Sequence, residues 1–356
     1  VTRTRKVVAI PGEDAAPEAF HPTVALIDGM KLPIEWVFPP VGLQAIETHG
    51  KAFPSEARAA IDASDATLFG ATSGPSGGAL FYLRWGKQTF ANVRPTRWFP
   101  GCHSPLARPE GLDLVIVREN LEDLYIVAEG DLAQLAPAAV ISASHRKPVS
   151  ELGPGKFAIK AITEKGAEQV LRFSFELARK RKALGKPGKL ATGTKHNMLP
   201  KTDGLFRDTA SRLSADYPDV TFEPLLADDL AHRLVARGHD FDVIVLPNMY
   251  GDILSDAAAA LAGGLGLAAS GCYGDSYAYF ESAHGTAPDI AGKGTINPTA
   301  TILSAALMLD YLAFTDASRA LVQAVESVYA KGSVLTTDQG GDATTERFCA
   351  AVAAEL

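Results

Sequence analysis

Asp252 and Asp256 stand four residues apart, after the apolar run Phe241-Asp-Val-Ile-Val-Leu246 and the segment Asn248-Met-Tyr-Gly251. Read as a helix starting at Asp252 after a tight turn, that spacing puts both carboxylates on one face. Like charges so placed repel by about 0.2–0.5 kcal/mol on a helix. Something positive is therefore expected between them. Carboxylate oxygens suit a hard divalent cation such as Mg2+ or Mn2+. The same two residues also fit a simpler reading, in which Asp252 caps the helix and Asp256 is solvated.

Three arginines fall near strand ends and turns, in Leu83-Arg84-Trp-Gly, Asn92-Val-Arg94-Pro and Val117-Arg118-Glu-Asn120. A guanidinium grips carboxylates bidentately and keeps its charge. Together the three could hold a di- or tricarboxylate; singly, each reads as a surface ion-pair partner. The stretch His284 to Pro298 is long, Gly-rich and precedes a helix. Its amides could surround a nucleotide, but its residues alone establish only a loop that binds something. Gly264-Leu-Gly266-Leu-Ala-Ala269 satisfies GxGxxA, yet it ends an Ala-rich helix instead of opening one after a strand. It reads as close packing at a helix end.

The elements that must carry these groups alternate along the chain. Strands are expected at Val7–Ile10, Ile34–Phe38, Ala66–Phe69, Leu114–Val117, Phe157–Ala161, Leu190–Gly193, Val220–Glu223 and Phe241–Leu246. Helices are expected at Pro17–Met30, Ser55–Ala63, Thr163–Lys182, Leu205–Leu213, Asp229–Ala236, Asp252–Leu261 and Asn297–Phe314, with a loop at Gly70–Gly78. This alternation favours an α/β architecture with much parallel sheet.

The 356 residues suggest two domains or one large α/β unit, and 47% hydrophobic with 21% charged residues excludes a mainly disordered chain. A net charge of −7 and a single basic block, Arg179-Lys-Arg-Lys182, argue against nucleic acid or anionic membrane as partner. The run Ala257–Ala269 is too short to span a membrane. No signal peptide is visible at Val1–Ile10. Cys102, Cys272 and Cys349 form neither a disulfide framework nor a CxxC site. A cytoplasmic protein is expected.

Taken together, these pieces resemble the β-decarboxylating dehydrogenases, the family of isocitrate, 3-isopropylmalate, homoisocitrate and tartrate/D-malate dehydrogenases. The resemblance rests on Leu83-Arg84, Asn92-Val-Arg94-Pro, Arg118-Glu-Asn-Leu-Glu-Asp-Leu-Tyr125, Lys195-His-Asn197, Asp228, Asn248 through Asp256, and His284 through Pro298. They run in family order. The strings Gly251-Asp-Ile-Leu-Ser-Asp256 and His284-Gly-Thr-Ala-Pro-Asp289 are its most specific parts.

The resemblance implies a two-domain α/β fold without a Rossmann motif, with residues 1–95 plus 257–356 as the large cofactor-binding domain. Residues 96–256 would form a small domain carrying the dimer interface and the metal and catalytic residues. It implies a homodimer in which Lys195 and Asp228 reach into the partner's site. Arg84, Arg94 and Arg118, with Leu80, would bind substrate. Asp228, Asp252 and Asp256 would hold Mg2+ or Mn2+, Lys195 would be the base and Tyr125 the acid. The cofactor would lie along His284, Gly285, Ala287, Pro288, Asp289, Ile290 and Asn297.

Asp289-Ile290 stands where NADP-linked members commonly carry Lys-Tyr, and Thr336–Gly341 likewise lacks the Tyr and Arg of those members, so NAD is the expected cofactor. Two departures stand out. The family string Gly-Asp-Gly-Ile-Gly-Pro-Glu reads Gly12-Glu-Asp-Ala-Ala-Pro17-Glu18 here, with alanine where positive φ is costly. The loop Ala71–Phe81 looks short and lacks the Arg-Ser-x-Asn string with which isocitrate enzymes hold a third carboxylate. The Arg118–Tyr125 string resembles the isocitrate, homoisocitrate and tartrate branch, whereas Leu80 and Phe81 point to isopropylmalate. The reading leans to isocitrate. Its rival is a non-catalytic subunit of a heteromeric isocitrate dehydrogenase, against which the full Lys/Tyr/Asp set speaks.

Overall fold

The computed structural model describes residues 3–356. In chain order the strands are β1 Arg5–Ile10, β2 Ile34–Val37, β3 Ala66–Phe69, β4 Ala91–Arg97, β5 Asp113–Glu119, β6 Glu129–Asp131, β7 Ile141–Ser142, β8 Lys147–Pro148, β9 Lys156–Ala158, β10 Lys189–Thr194, β11 Thr221–Leu226, β12 Val243–Leu246, β13 Ala269–Tyr273 and β14 Ala278–Ser282. The helices are α1 Ala16–Gly29, α2 Leu43–His49, α3 Ser55–Asp62, α4 Gly77–Phe81, α5 Glu164–Ala183, α6 Thr202–Leu213, α7 Ala227–Arg237, α8 Asn248–Ala262, α9 Thr299–Tyr311, α10 Thr315–Lys331 and α11 Thr345–Ala353.

Ten strands form one sheet in the order β11-β10-β12-β5-β4-β13-β14-β3-β1-β2. Its two wings are parallel, but the middle, β5-β4-β13-β14, is antiparallel. The sheet is thus more mixed than the helix–strand alternation suggests, because β4, β13 and β14 are not visible as apolar runs. β4 carries Arg94, Pro95 and Arg97, while β13 is Ala-Ser-Gly-Cys-Tyr.

The continuous apolar strands β5 and β12 are buried on both faces, as parallel sheet covered by helices requires. Val117, Val243 and Val245 pack with Val170, Phe175 and Phe206 of α5 and α6. On the other face Ile116 and Ile244 meet Leu230 of α7 and Leu261 of α8. A third cluster joins Phe20, Leu68, Phe280, Ile302 and Leu309 between α1, α9 and the sheet.

Helix α5 shows how local chemistry sets an element. Thr163 caps it by accepting from the Gly166 amide at 3.0 Å, and Lys180, Arg181 and Lys182 lie at its C-terminal turn, where cations oppose the dipole. The basic block is therefore a helix end: Arg179 pairs with Asp219 and Arg181 with Asp242.

Two boundaries differ from expectation in ways that shape the site. Helix α8 begins at Asn248, so Asn248–Gly251 is its first turn and Asp252 cannot be its cap. Gly251 is inside the helix because a Cβ there would come within 2.7 Å of Arg118 Cβ. Loop Gly70–Gly78 gives way at Gly77 to α4, which runs on into a π-helical turn, Tyr82–Gly86, that carries Arg84. Gly263 and Gly264, the latter the first residue of the GxGxxA string, are both at positive φ and close α8, and the string leads into β13. Between β5 and α5 an arm holds the hairpins β6–β9 and β7–β8, with exposed Val127, Val140, Ile141 and Leu152. All three cysteines are free and buried, and among the described residues no helix is long and apolar enough to cross a membrane.

Candidate active site

The antiparallel pairing of β4 with β5 sets Asn92 opposite Arg118. Arg94, two residues along, is then a diagonal neighbour of Arg118 on the same face. Helix α8 lies across that face and delivers its carboxylates to the two guanidiniums. Arg118 donates through Nε to Asn248 Oδ1 at 2.8 Å and through Nη1 to Asp252 Oδ1. Its guanidinium also covers the Tyr125 ring at 4.7 Å. Arg94 Nη1 donates to Ser255 Oγ at 2.7 Å and lies 3.3 Å from both Asp252 Oδ1 and Asp256 Oδ1. The positive group expected between the two aspartates is, within this chain, Arg94.

The electrostatics follow. Burial alone would raise the Asp252 carboxyl, but Arg118, the Tyr125 hydroxyl and Arg94 hold it below the usual range. Asp256 is raised, because burial outweighs Arg94 and Asp252 adds repulsion. Tyr125, which donates to Asp252 Oδ2 at 2.5 Å, is raised by burial and by that carboxylate. Arg84 is half-buried; burial alone would lower its pKa, but Tyr279 and Glu281 raise it. Glu281, on β14, is itself raised by burial despite the three arginines that face it. Reasoning from motifs missed Glu281, although it lies only three residues before His284.

Among the described residues, the buried donors Arg84 Nε, Arg94 Nε, Arg118 Nη2 and Asn248 Nδ2 have no partner. Each such donor costs about 1–3 kcal/mol, and three of the four side chains, Arg94, Arg118 and Asn248, meet at the start of α8, an electropositive setting that fits an anionic ligand. Asp252 and Asp256 supply hard oxygen donors from one helix face, the chemistry that Mg2+ or Mn2+ prefers. Among the described residues of one chain no three acidic, His or Cys side chains are close enough to hold a metal. This chain brings two carboxylates, Asp252 and Asp256, to the place.

Lys195, just beyond β10, pairs with Asp228 of α7 at 2.7 Å. The two side chains are 32% and 64% exposed, and neither bonds to Asp252, Asp256 or Tyr125. The structure thus brings together Arg94, Arg118, Tyr125, Asp252 and Asp256, and sets Lys195 with Asp228 as a separate, outward-facing pair. Leu80 is half-buried beside exposed Phe81, whose ring stacks on Trp85 at 4.8 Å.

The His284–Pro298 loop is fastened from behind. Ala15 donates to the Thr286 carbonyl, and the Glu18 carboxylate accepts from the Gly292 and Gly294 amides at 2.5 and 2.6 Å. Ala287 is left-handed at φ 50°, a conformation that strains a non-glycine residue. His284 is lowered by burial, with Nδ1 2.7 Å from the Gly285 carbonyl and Nε2 buried without a partner. Gly285, Pro288 and Asp289 are exposed and Ile290 is half-buried, whereas Asn297 is buried and donates to Asp338 and Tyr329. In the altered first loop the positive φ values fall on Gly12 and Asp14, not on the alanines, which adopt right-handed helical geometry. Aspartate tolerates that region. Glu13 accepts from the Ser73 and Ser76 amides and so ties this loop to the next.

Residues 6–352 match the family described as isocitrate/isopropylmalate dehydrogenase. The chain is 41% identical to an isocitrate/homoisocitrate dehydrogenase of Thermus thermophilus, over 99% of this chain and 98% of that protein. It is 39% identical to a 3-isopropylmalate/3-methylmalate dehydrogenase of Methanocaldococcus jannaschii, over 98% of each. A crystal structure of isocitrate dehydrogenase from Methylococcus capsulatus superposes with a TM-score of 0.84 at 32% identity, covering 99% of both chains. The chain belongs to the isocitrate/isopropylmalate family of β-decarboxylating dehydrogenases.

Proposed function

We propose that this enzyme oxidatively decarboxylates a 3-substituted malate with NAD+, as a homodimer of two-domain protomers. The observation that carries the reading is the cluster of Arg94, Arg118, Tyr125, Asp252 and Asp256, with unpartnered buried donors beside two metal-type carboxylates. Arg84, Arg94 and Arg118 bind the substrate carboxylates and fix its orientation. Asp252 and Asp256, with Asp228 of a second copy, would hold Mg2+ or Mn2+, which would supply Lewis-acid polarisation of the substrate oxygens, and bound NAD+ would supply the hydride acceptor. Lys195 of that second copy takes the proton of the 2-hydroxyl as hydride leaves C2. The electron pair released when CO2 departs from C3 is quenched by the Tyr125 proton at the same carbon. The pairing of Lys195 with Asp228 on an exposed face, away from Asp252, supports a site completed by two copies.

NAD+ is favoured because Asp289 places a carboxylate where a 2′-phosphate would need a cation, and Ile290 offers no donor. For the substrate, the Arg118–Tyr125 string supports isocitrate. A second reading, an apolar substituent at C3, is favoured by the Phe81–Trp85 stack close in sequence to Arg84. Assay of the purified protein with Mn2+, NAD+ and isocitrate, homoisocitrate, 3-isopropylmalate, D-malate and tartrate ranks these by kcat/KM. Turnover of none of them would leave the non-catalytic reading standing.

A further inference from the structure

Lys160 belongs to no motif of the sequence, yet its ammonium group meets three segments at once. It lies between β9 and α5, where the arm rejoins the sheet domain, and its side chain is only 15% exposed. Its Nζ is 2.5 Å from Asp203 Oδ1 and 3.5 Å from Asp123 Oδ1, and it covers the Tyr250 ring at 4.7 Å. Both carboxylates are buried, at 0% and 1% exposure. Among the described residues Asp123 Oδ1 has no hydrogen-bond partner, and Lys160 is a charge that faces it.

Each contact leads to a group of the proposed reaction. Asp203 Oδ2 accepts the Lys195 amide at 2.6 Å and so fixes the backbone of the proposed base. Asp123 stands two residues before Tyr125, and its Oδ2 accepts the Met249 amide at 3.0 Å in the first turn of α8. Tyr250 stands two residues before Asp252 in that helix. Without the lysine these two buried carboxylates would lose the ammonium group that faces both of them, and breaking a buried ion pair by removing one partner is strongly destabilising.

We propose that Lys160 is a positioning residue that holds the Lys195, Tyr125 and Asp252 segments in register. The proposal rests on the reaction assigned above. Since Lys195 serves the second copy's site and Tyr125 and Asp252 serve the chain's own, one ammonium group ties together parts of two sites. The cofactor loop at 284–298 is not among its contacts.

The test is Lys160→Met with Lys160→Arg as the conservative variant, assayed for kcat, for KM of NAD+, and for reduction and decarboxylation of the keto acid separately. Displacement of reacting groups by about 1 Å costs up to about 100-fold, so Lys160→Met is expected to lose about 10- to 100-fold in kcat. Both half-reactions should slow while KM for NAD+ stays unchanged, and Lys160→Arg should recover most of the loss. Amide exchange in the unliganded protein should speed up at Lys195 and Met249 together. Loss confined to one half-reaction, no rescue by arginine, or unchanged exchange at either amide would overturn the proposal. If Lys160→Met does not fold, Asp203→Asn keeps an oxygen for the Lys195 amide but ends the charge pairing; unchanged kcat in that variant also overturns it. The exchange readout needs no substrate, so an error in the assigned reaction would silence the wild-type kinetics and leave the exchange result standing.

Discussion

The hydroxyl of Tyr125 donates to one oxygen of Asp252 while the other oxygen takes Arg118. Burial and that carboxylate raise the phenol, whereas Arg118 and the phenol hold Asp252 down against its own burial. At neutral pH the pair is therefore a proton-carrying phenol beside an ionised carboxylate. That is the state needed for an acid that acts late and a ligand that binds early. Tyr125→Phe should lower overall decarboxylation about 100-fold while leaving reduction of the keto acid much less affected, since general acid–base groups contribute about 10²–10⁴-fold. Lys195→Met should damage the hydride half-reaction directly. Single-turnover measurement of the two half-reactions separates these outcomes, and equal losses for Tyr125→Phe would refute the division.

Asp252→Asn removes a proposed metal ligand and the shared partner of Arg94, Arg118 and Tyr125. It also relieves repulsion with Asp256, so the fold should survive. Turnover should fall by at least about 100-fold, as expected when a charge-stabilising group is lost from a reacting centre. Mn2+ titration followed by calorimetry should show binding weakened well beyond that of the wild type. Wild-type activity in excess EDTA would argue against the metal assignment.

Much of this geometry is legible in the sequence because it depends on local pattern. The buried strands β5 and β12 read as apolar runs, and the spacing of Asp252 and Asp256 fixes their common face. The start of α8 was obscured because Pro247-Asn248-Met-Tyr-Gly251 has the composition of a turn. Gly251 is there for a tertiary reason, the lack of room against Arg118. Strand β4 was hidden because its arginines and proline interrupt the apolar pattern that a covered strand normally shows. Lys160 could not be found at all: its partners at 123, 203 and 250 are joined only by the fold.

Glu18 is expected to act on nucleotide affinity. Its carboxylate holds the Gly292 and Gly294 amides from the first turn of α1. Glu18→Ala should weaken NAD+ binding about tenfold, the equivalent of losing roughly 1.4 kcal/mol of preorganisation. The kcat at saturating NAD+ should hold. Equilibrium titration by nucleotide fluorescence checks this without turnover.

Stability should report the ion cluster at the start of β5. Asp113 contacts Lys186 at 2.5 Å and Arg181 at 3.0 Å. Burial alone would raise its carboxyl, but the two cations hold it below the usual aspartate range. A carboxyl lowered in the folded state contributes fully above its unfolded pKa and loses that contribution as pH falls through the folded value. Asp113→Asn should therefore cost about 1 kcal/mol at neutral pH. The gap in Tm between variant and wild type should hold above about pH 4 and narrow progressively as the pH falls below it. A gap independent of pH would remove the charge from the explanation.

The most direct test of the whole account counts products. With Mn2+ and the best substrate of the panel, NADH and CO2 should appear one for one, and both should stop in EDTA. NAD+ should be preferred over NADP+ on the order of 100-fold in kcat/KM if, as proposed, Asp289 and Ile290 face the adenosine ribose. Reduced cofactor without CO2, or equal or better kcat/KM with NADP+, would contradict it.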